Sequence, residues 1–406
     1  MEHRDVIAVG GGLSGLSFAW HGARAGKKAL VLDAADRLGG CLDSRRQPAG
    51  YWYELGAHTC YNSYGALLEI IEGAGIKDKI RPRGDARKRF ALLRGSELVP
   101  MGPLSVFRQF DFWELLRALP GALGAKKEGV STYTYYSGAV GKRNYARVLA
   151  PFLSAVPSQS VDAFPATGDG SLFKKRPRRK DVVKSFTLEG GLGDVIDAMA
   201  ATPGVETLTG ALVREVHRHG TGYEVKLADG RAFEAPVVAL AVPPSMAAAM
   251  LRTDAPELAA ELARIHMAAV ETVGVVVPRQ KVAHLPELAF IVPAEDLFWS
   301  AVTRDPVPDA TRRAFAFHFR TGKTDAEKTK RICEVLGVQP GDFLDVGRRM
   351  TMLPAPVLGH DRTVHELDRL LAGSRLALTG NYFGGLAIED CVLRSKAEWQ
   401  RVAALG

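Results

Sequence analysis

Val6-Ile7-Ala8-Val9-Gly10-Gly11-Gly12-Leu13-Ser14-Gly15 opens the chain, and Ala29-Leu30-Val31-Leu32-Asp33 followed by Asp36-Arg37-Leu38-Gly39-Gly40 completes the pattern. Val6 to Val9 is a short apolar run of the kind that forms a buried parallel strand. Gly10 permits a tight turn, Gly12 lets the backbone approach a pyrophosphate, and Gly15 lets the following helix pack closely on the strand. The N-terminus of that helix presents free N–H groups and a positive dipole end to phosphates. Asp33 closes the second strand, where a carboxylate accepts hydrogen bonds from ribose hydroxyls, which disfavours a 2′-phosphorylated dinucleotide.

Three further stretches narrow the dinucleotide. Gly39-Gly40 allows a second close backbone approach along an extended cofactor. Tyr53-Glu54-Leu55-Gly56-Ala57-His58 is a small-residue turn beside which a flat ring can lie. Leu378-Thr379-Gly380-Asn381-Tyr382-Phe383-Gly384-Gly385-Leu386-Ala387-Ile388-Glu389-Asp390-Cys391 reads as a strand end, a turn and a helix start. That helix start offers N–H donors to the pyrimidine edge of a flavin.

With these residues the sequence resembles the FAD-dependent protoporphyrinogen oxidase and flavin amine oxidase group. The Gly-Asn-Tyr to Asp-Cys ending, Leu353-Pro354-Ala355-Pro356-Val357-Leu358-Gly359-His360, and Tyr145 to Val156 with Pro151 are similar to protoporphyrinogen oxidase segments. The resemblance implies FAD held by Gly10, Gly12, Leu13, Ser14, Gly15, Asp33, Ala34, Arg37, Gly39, Gly40, Gly56, Ala57, His58, Val213, Ala241, Gly380, Asn381, Leu386, Ala387 and Ile388. It also places His58 and Tyr382 beside the flavin as candidate catalytic residues. His58 orients substrate or accepts a proton, and Tyr382 stacks on or gates the ring; a structural histidine and a packing tyrosine are the competing readings. Ala155 stands where that family has Gly, Val357 stands where it has an aromatic residue, and the chain is shorter than its usual members. These departures fall in substrate-facing regions and bear on the substrate, not on FAD.

The 406 residues suffice for two domains. The expected fold is α/β, a Rossmann-like FAD-binding domain interleaved with an α+β substrate domain. Residues 1–60, 201–245 and 375–406 form the discontinuous FAD-binding domain. Residues 61–200 are a helical insertion facing substrate or membrane, and 246–374 supply a substrate-domain sheet and helices. Residues 205–245 read as a β-meander, with Ala228-Asp229-Gly230-Arg231 a hairpin turn.

Lys plus Arg exceed Asp plus Glu by 53 − 45 = 8, which suits an anionic small-molecule substrate or serves solubility alone. Four scattered cysteines make neither a zinc site nor a disulfide framework. Cys41, beside Gly40, reads as a small core residue, with a covalent flavin thioether as the alternative. No apolar run reaches the ~20 residues of a membrane span. The expectation is a cytoplasmic protein, with peripheral membrane contact through residues 104–123 as a second reading to a core-facing tunnel wall. Phe173 begins a stretch with six basic residues in Lys174 to Lys180, read as a solvated loop. No metal site and no nucleic-acid module is expected.

Three functions compete. The first is an oxidase or dehydrogenase removing hydride equivalents from a bulky conjugated or nitrogen-containing ring, protoporphyrinogen-oxidase-like. The second is an amine or amino-acid oxidase releasing hydrogen peroxide, disfavoured because no lysine is identified for the flavin edge. The third is a non-catalytic binding protein like the GDP-dissociation inhibitors, against which the intact glycines at both ends argue.

Overall fold

Val6–Val9 lies at the centre of a five-stranded parallel sheet, ordered Val205–Leu208, Ala29–Leu32, Val6–Val9, Val237–Leu240 and Leu376–Leu378. The computed structural model describes residues 2–168, 170–172 and 174–405; Phe173, the first residue of the basic stretch, lies outside them. Both faces of this sheet are covered, which is why Val6–Val9 and Ala29–Leu32 are apolar at every position and wholly buried. Helices Leu13–Arg24, Gly193–Ala200 and Ile388–Ala403 pack on one face. A second small sheet of Glu2–His3, Ala232–Ala235, Gly222–Leu227 and Val213–His219 packs on the other.

The second domain is built on seven strands, ordered Asp345–Pro354, Met267–Pro278, Arg312–Phe319, Phe298–Thr303, Phe290–Pro293, Phe90–Arg94 and Glu97–Met101. One face buries Phe315, Phe317 and Phe319 against Ile332, Val335 and Leu336 of helix Asp325–Leu336. That helix is well started, because Thr324 and Glu327 form a capping box. The opposite face meets the parallel-sheet domain: a Cβ on Gly274 would fall 2.5 Å from Leu55 and 2.6 Å from Tyr53.

Three expectations are corrected here. Residues 61–200 are not a helical insertion, because Phe90–Arg94 pairs in parallel with Phe290–Pro293 and brings two strands into the large sheet. Ser185–Leu188 also pairs with Cys60–Tyr61 and Ile80–Pro82. Separations of roughly one hundred to two hundred residues between partner strands hide these pairings from local patterns.

Helix Phe112–Gly124 is not a core-facing tunnel wall. It has no buried residue, and Phe112, Trp113, Leu116, Leu119 and Leu123 are exposed. Glu114, Leu115 and Ala118 are its half-buried residues: the Glu114 carboxylate accepts from the Arg143 and Asn144 N–H groups at 2.7 and 2.8 Å, and Asp111 caps the helix.

The basic stretch is a solvated loop only in part: Lys175, Arg178 and Lys180 are exposed, and the other three basic side chains are engaged. Arg176 pairs with Asp390 at 2.6 Å, Arg179 makes a two-pronged contact with Glu72 at 2.7 and 2.8 Å, and Lys174 donates to the Gly384 carbonyl. Carboxylates on two separate helices, distant in sequence, neutralise Arg176 and Arg179.

Candidate active site

The glycine turn is built as close packing demands. Gly10 has φ +106°, a region that favours glycine, and a Cβ there would lie 2.6 Å from the Ala241 carbonyl. A Cβ on Gly15 would lie 1.9 Å from the Gly10 carbonyl, so helix Leu13–Arg24 touches the strand only because that residue is Gly. Gly12 differs, since a Cβ there would meet nothing nearer than the Gly40 Cα at 3.4 Å. The helix beginning at Leu13 and Ser14 has no side-chain cap and no acidic residue in its first turn. Its first N–H groups and the positive end of its dipole thus have no side-chain partner at the cap.

Gly39 and Gly40 fold back onto this turn. The Gly39 N–H donates to the Gly11 carbonyl at 2.8 Å, and Gly12 and Gly39 form a parallel bridge. Asp33 reaches into the same region, accepting from Gly11 N–H at 2.6 Å and Ala35 N–H at 2.8 Å. Each of its oxygens keeps a lone pair for a further donor. Ala34 is exposed beside it, and Val213 is buried on the strand that follows the Asp33 contacts at residues 208–211. Gly56 abuts the other side of the Gly39-Gly40 loop, where a Cβ would lie 1.9 Å from the Cys41 carbonyl.

The C-terminal signature is tied to the N-terminal one through Ser395. Its hydroxyl contacts the Thr379 hydroxyl at 2.7 Å and donates to the Ser14 carbonyl at 2.9 Å. Gly380 and Asn381 follow the strand end, and Leu386 and Ala387 lead, half-buried, into helix Ile388–Ala403. Glu389 is 3% exposed and caps another helix, accepting from Ala66 and Leu67 N–H at 2.8 and 3.0 Å.

His58 and Tyr382 take different positions. Tyr382 is buried in an apolar cluster, its ring centroid 4.7 Å from Phe383 and its hydroxyl unpartnered among the described residues. Tyr382 thus packs beneath the Gly380 turn, and the site feels it through that packing. His58, with Ala57 before it, is half-buried and faces the large sheet: its Nε2 lies 3.3 Å from Nε2 of His318, whose Nδ1 lies 2.9 Å from the Thr272 hydroxyl. Burial and the neighbouring His318 hold His58 well below the usual imidazole range, and burial lowers His318 to about 4. Both rings are therefore neutral near neutral pH.

His318 belongs to a polar row that runs across four strands. Arg349 pairs with Thr272, Thr272 with His318, and His318 with Ser300 in the strand register. Directly opposed residues share a face, and this is the face turned to the glycine loops. Arg349 pairs with Asp43 at 2.6 Å and donates to the Gly40 carbonyl. Arg37 lies 3.1 Å from the same Asp43 and donates to the same carbonyl at 3.2 Å. Arg45 adds a third guanidinium 3.4 Å from Asp43, and Arg46 pairs with Asp194 and Asp197.

Sequence reasoning missed Asp43, Thr272, Ser300, His318 and Arg349. His318 and Ser300 are single polar residues between apolar neighbours in their strands, whereas Asp43, Thr272 and Arg349 have other polar residues beside them in sequence, and no local pattern names their partners. Cys41 is half-buried, with its thiol pushed up to about 11 by burial, so its thiolate is scarce. Among the described residues, no group of three His, Cys, Asp or Glu side chains is arranged to hold a metal, and no helix is long and apolar enough to cross a membrane.

The sequence pattern of the flavin-containing amine oxidoreductases matches residues 13–334. The chain belongs to that family. This membership makes it a flavin-dependent oxidoreductase and leaves no support for the non-catalytic binding-protein reading. Along its length it is 25% identical to the coproporphyrinogen III oxidase of Propionibacterium freudenreichii subsp. freudenreichii, over 96% of this chain and 89% of the relative. It is also 25% identical to the protoporphyrinogen oxidase of Bos taurus, over 98% of both chains. A crystal structure from Exiguobacterium sp. 255-15, provisionally named a protoporphyrinogen oxidase, shares the fold with TM-score 0.80 at 20% identity over 99% of both chains. The α/β architecture of nucleotide-binding and substrate domains is thus that of the family.

Proposed function

We propose that this protein is an FAD-dependent oxidase or dehydrogenase acting on a porphyrinogen-type ring. The observation that carries the reading is the kinship, running the length of the chain, with two porphyrinogen oxidases. The residues present fit FAD. The open backbone at Gly12, the uncapped helix at Leu13 and Ser14, and Asp33 suit the pyrophosphate and ribose. Gly39, Gly40, Gly56 and the turn from Gly380 to Ile388 suit the length of the flavin.

The flavin, when bound, supplies hydride acceptance from an electron-rich C–H bond. The chain's own residues do the rest. Arg349 and Arg37 hold the Gly40 carbonyl from two domains, fixing the loop along the cofactor. Three guanidiniums around the single carboxylate of Asp43 leave a local surplus of positive charge beside the glycine turn. That surplus favours anionic phosphates. His58 and His318 share one proton between their Nε2 atoms, and Thr272 orients the pair. The neutral pair gives a substrate N–H or a departing ring proton a hydrogen-bond acceptor.

The exposed face of helix Phe112–Gly124 suits peripheral contact with a lipid surface from which an apolar ring is drawn.

The reading is tested by the visible spectrum of purified protein and by anaerobic bleaching. Flavin absorption bleached by coproporphyrinogen or protoporphyrinogen supports it. Bleaching by a simple amine alone, with hydrogen peroxide released in air, replaces it with the amine oxidase reading.

A further inference from the structure

A cavity of about 20 Å³ lies between the His58 turn and the strands Phe298–Thr303 and Arg312–Phe319. That is room for one water-sized group. Arg83, Arg304, Trp52, His58 and Glu54 are among its walls. Arg83 and Arg304 are both half-buried, and neither guanidinium has a carboxylate within ion-pair distance among the described residues. Almost all other arginines near this junction are paired: Arg313 with Asp305 at 2.6 Å and Arg349 with Asp43, for example.

Arg304 is held rigidly. Its guanidinium carbon lies 4.4 Å from the Tyr51 ring centroid and 4.6 Å from that of Trp52, and one nitrogen donates to the Val307 carbonyl at 2.6 Å. Its Nε is buried and has no hydrogen-bond partner. The Arg83 guanidinium makes no hydrogen bond to protein among the described residues, although its own carbonyl accepts from Arg87. Burial pushes both guanidiniums below the usual arginine range; Asp309 and Glu54 oppose the shift at Arg304 without forming an ion pair with it, and among the described residues no carboxylate opposes it at Arg83. The carboxylate in the wall, Glu54, acts on Arg304 from a distance and forms no ion pair with either guanidinium. Its oxygens accept from the Ser44 hydroxyl and Leu192 N–H at 2.8 to 2.9 Å, and burial raises it to about 7. Two positive charges, an orphaned donor and a void of one group's size stand together, and buried charge is stable only when paired.

We propose that this cavity is a binding subsite for one monovalent anion, a chloride ion or one end of a carboxylate, held between Arg83 and Arg304 beside His58. Both sources share the same chemistry, a small single negative charge that accepts from guanidinium N–H groups. Assigning the anion to a carboxylate arm of the substrate rests on the function proposed above; the site itself does not.

Trp52 reports occupancy, since Arg304 stacks on its indole. Tryptophan emission of the full-length, flavin-loaded protein is followed while chloride, and separately propionate, replaces sulfate at constant ionic strength. A saturable change that is lost in Trp52→Phe supports the proposal. It should require roughly tenfold more anion in Arg83→Met and Arg304→Met, the loss expected from one charge-assisted hydrogen bond, and should be largely kept in Arg83→Lys. Either arginine variant alone is sufficient if the other fails to fold. A response that does not saturate, or one unchanged in both Met variants, overturns the proposal. Steady-state kinetics then separates the sources. Chloride raising KM for a carboxylated tetrapyrrole with kcat unchanged assigns the site to a substrate arm, and chloride leaving KM unchanged assigns it to free anion. The emission result stands whatever the substrate proves to be.

Discussion

His58 and His318 face each other across the domain junction with their Nε2 atoms 3.3 Å apart, the first from a loop beside the glycine motifs and the second from the large sheet. The contact needs exactly one proton between two nitrogens, so it breaks when both rings charge. His318 is depressed to about 4 by burial, against 6.5 for an exposed imidazole. The unfolded chain therefore binds the proton first on acidification, and stability falls as pH drops from about 6.5 to about 4. His318→Gln is expected to remove up to about 3 kcal/mol of that acid loss. Urea unfolding at several pH values measures it; parallel curves for wild type and variant would place the titration elsewhere.

Glu54 has the opposite sign. Burial raises it to about 7 from 4.5, so the folded state holds the proton longer and stability falls as pH rises through that window. Glu54→Gln keeps an acceptor for Ser44 and Leu192 and needs no proton. The variant is expected to gain on the order of 3 kcal/mol relative to wild type above the upper limit of that window. A melting-temperature difference that does not grow between acid and neutral pH would show that the carboxylate ionises freely.

Arg349 crosses between domains to Asp43 and the Gly40 carbonyl. Arg349→Met leaves Asp43 with Arg37 and Arg45, so the cost is expected to be smaller than for a fully orphaned charge, about 2 kcal/mol. Flavin release on heating should precede unfolding in the variant, read from the separate onsets of flavin and tryptophan fluorescence. Coincident onsets at the wild-type temperature would exclude the clamp.

Gly12 and Gly15 should fail in different ways. Gly12→Val meets only Gly40 at 3.4 Å and is expected to fold yet lose FAD, because its side chain fills the pyrophosphate approach. Gly15→Ala drives a methyl to 1.9 Å from the Gly10 carbonyl and should lower stability as well as flavin retention. Circular dichroism and bound-flavin ratio separate the two, and a flavin-loaded Gly12→Val protein would show that the cofactor lies elsewhere.

The apolar face of helix Phe112–Gly124 gives a further test. Trp113 and Leu123 are 70% and 85% exposed. Co-sedimentation with phosphatidylcholine and phosphatidylglycerol vesicles should fall several-fold in Trp113→Glu and Leu123→Glu, with little change in stability because neither side chain is packed. Equal binding by wild type and variants would remove the lipid reading.

Local sequence determined the nucleotide-binding unit, because strand, glycine turn, helix and acid follow one another within forty residues and each has its own short-range cause. Gly10 must turn, Gly15 must pack, and Val6 to Val9 must be apolar on both faces. The C-terminal turn was legible for the same reason. Only the tertiary structure decided what meets these motifs. Nothing local links Thr272, His318, Ser300 and Arg349, and strand register aligns them into one row facing His58 and Gly40. The basic stretch finds its carboxylates on Glu72 and Asp390, and the helix at Phe112 turns Glu114 inward and its aromatics outward. Hydrophobic periodicity reports which face is apolar, but which partner covers it depends on pairings between residues far apart in the chain, and those exist only once the chain has folded.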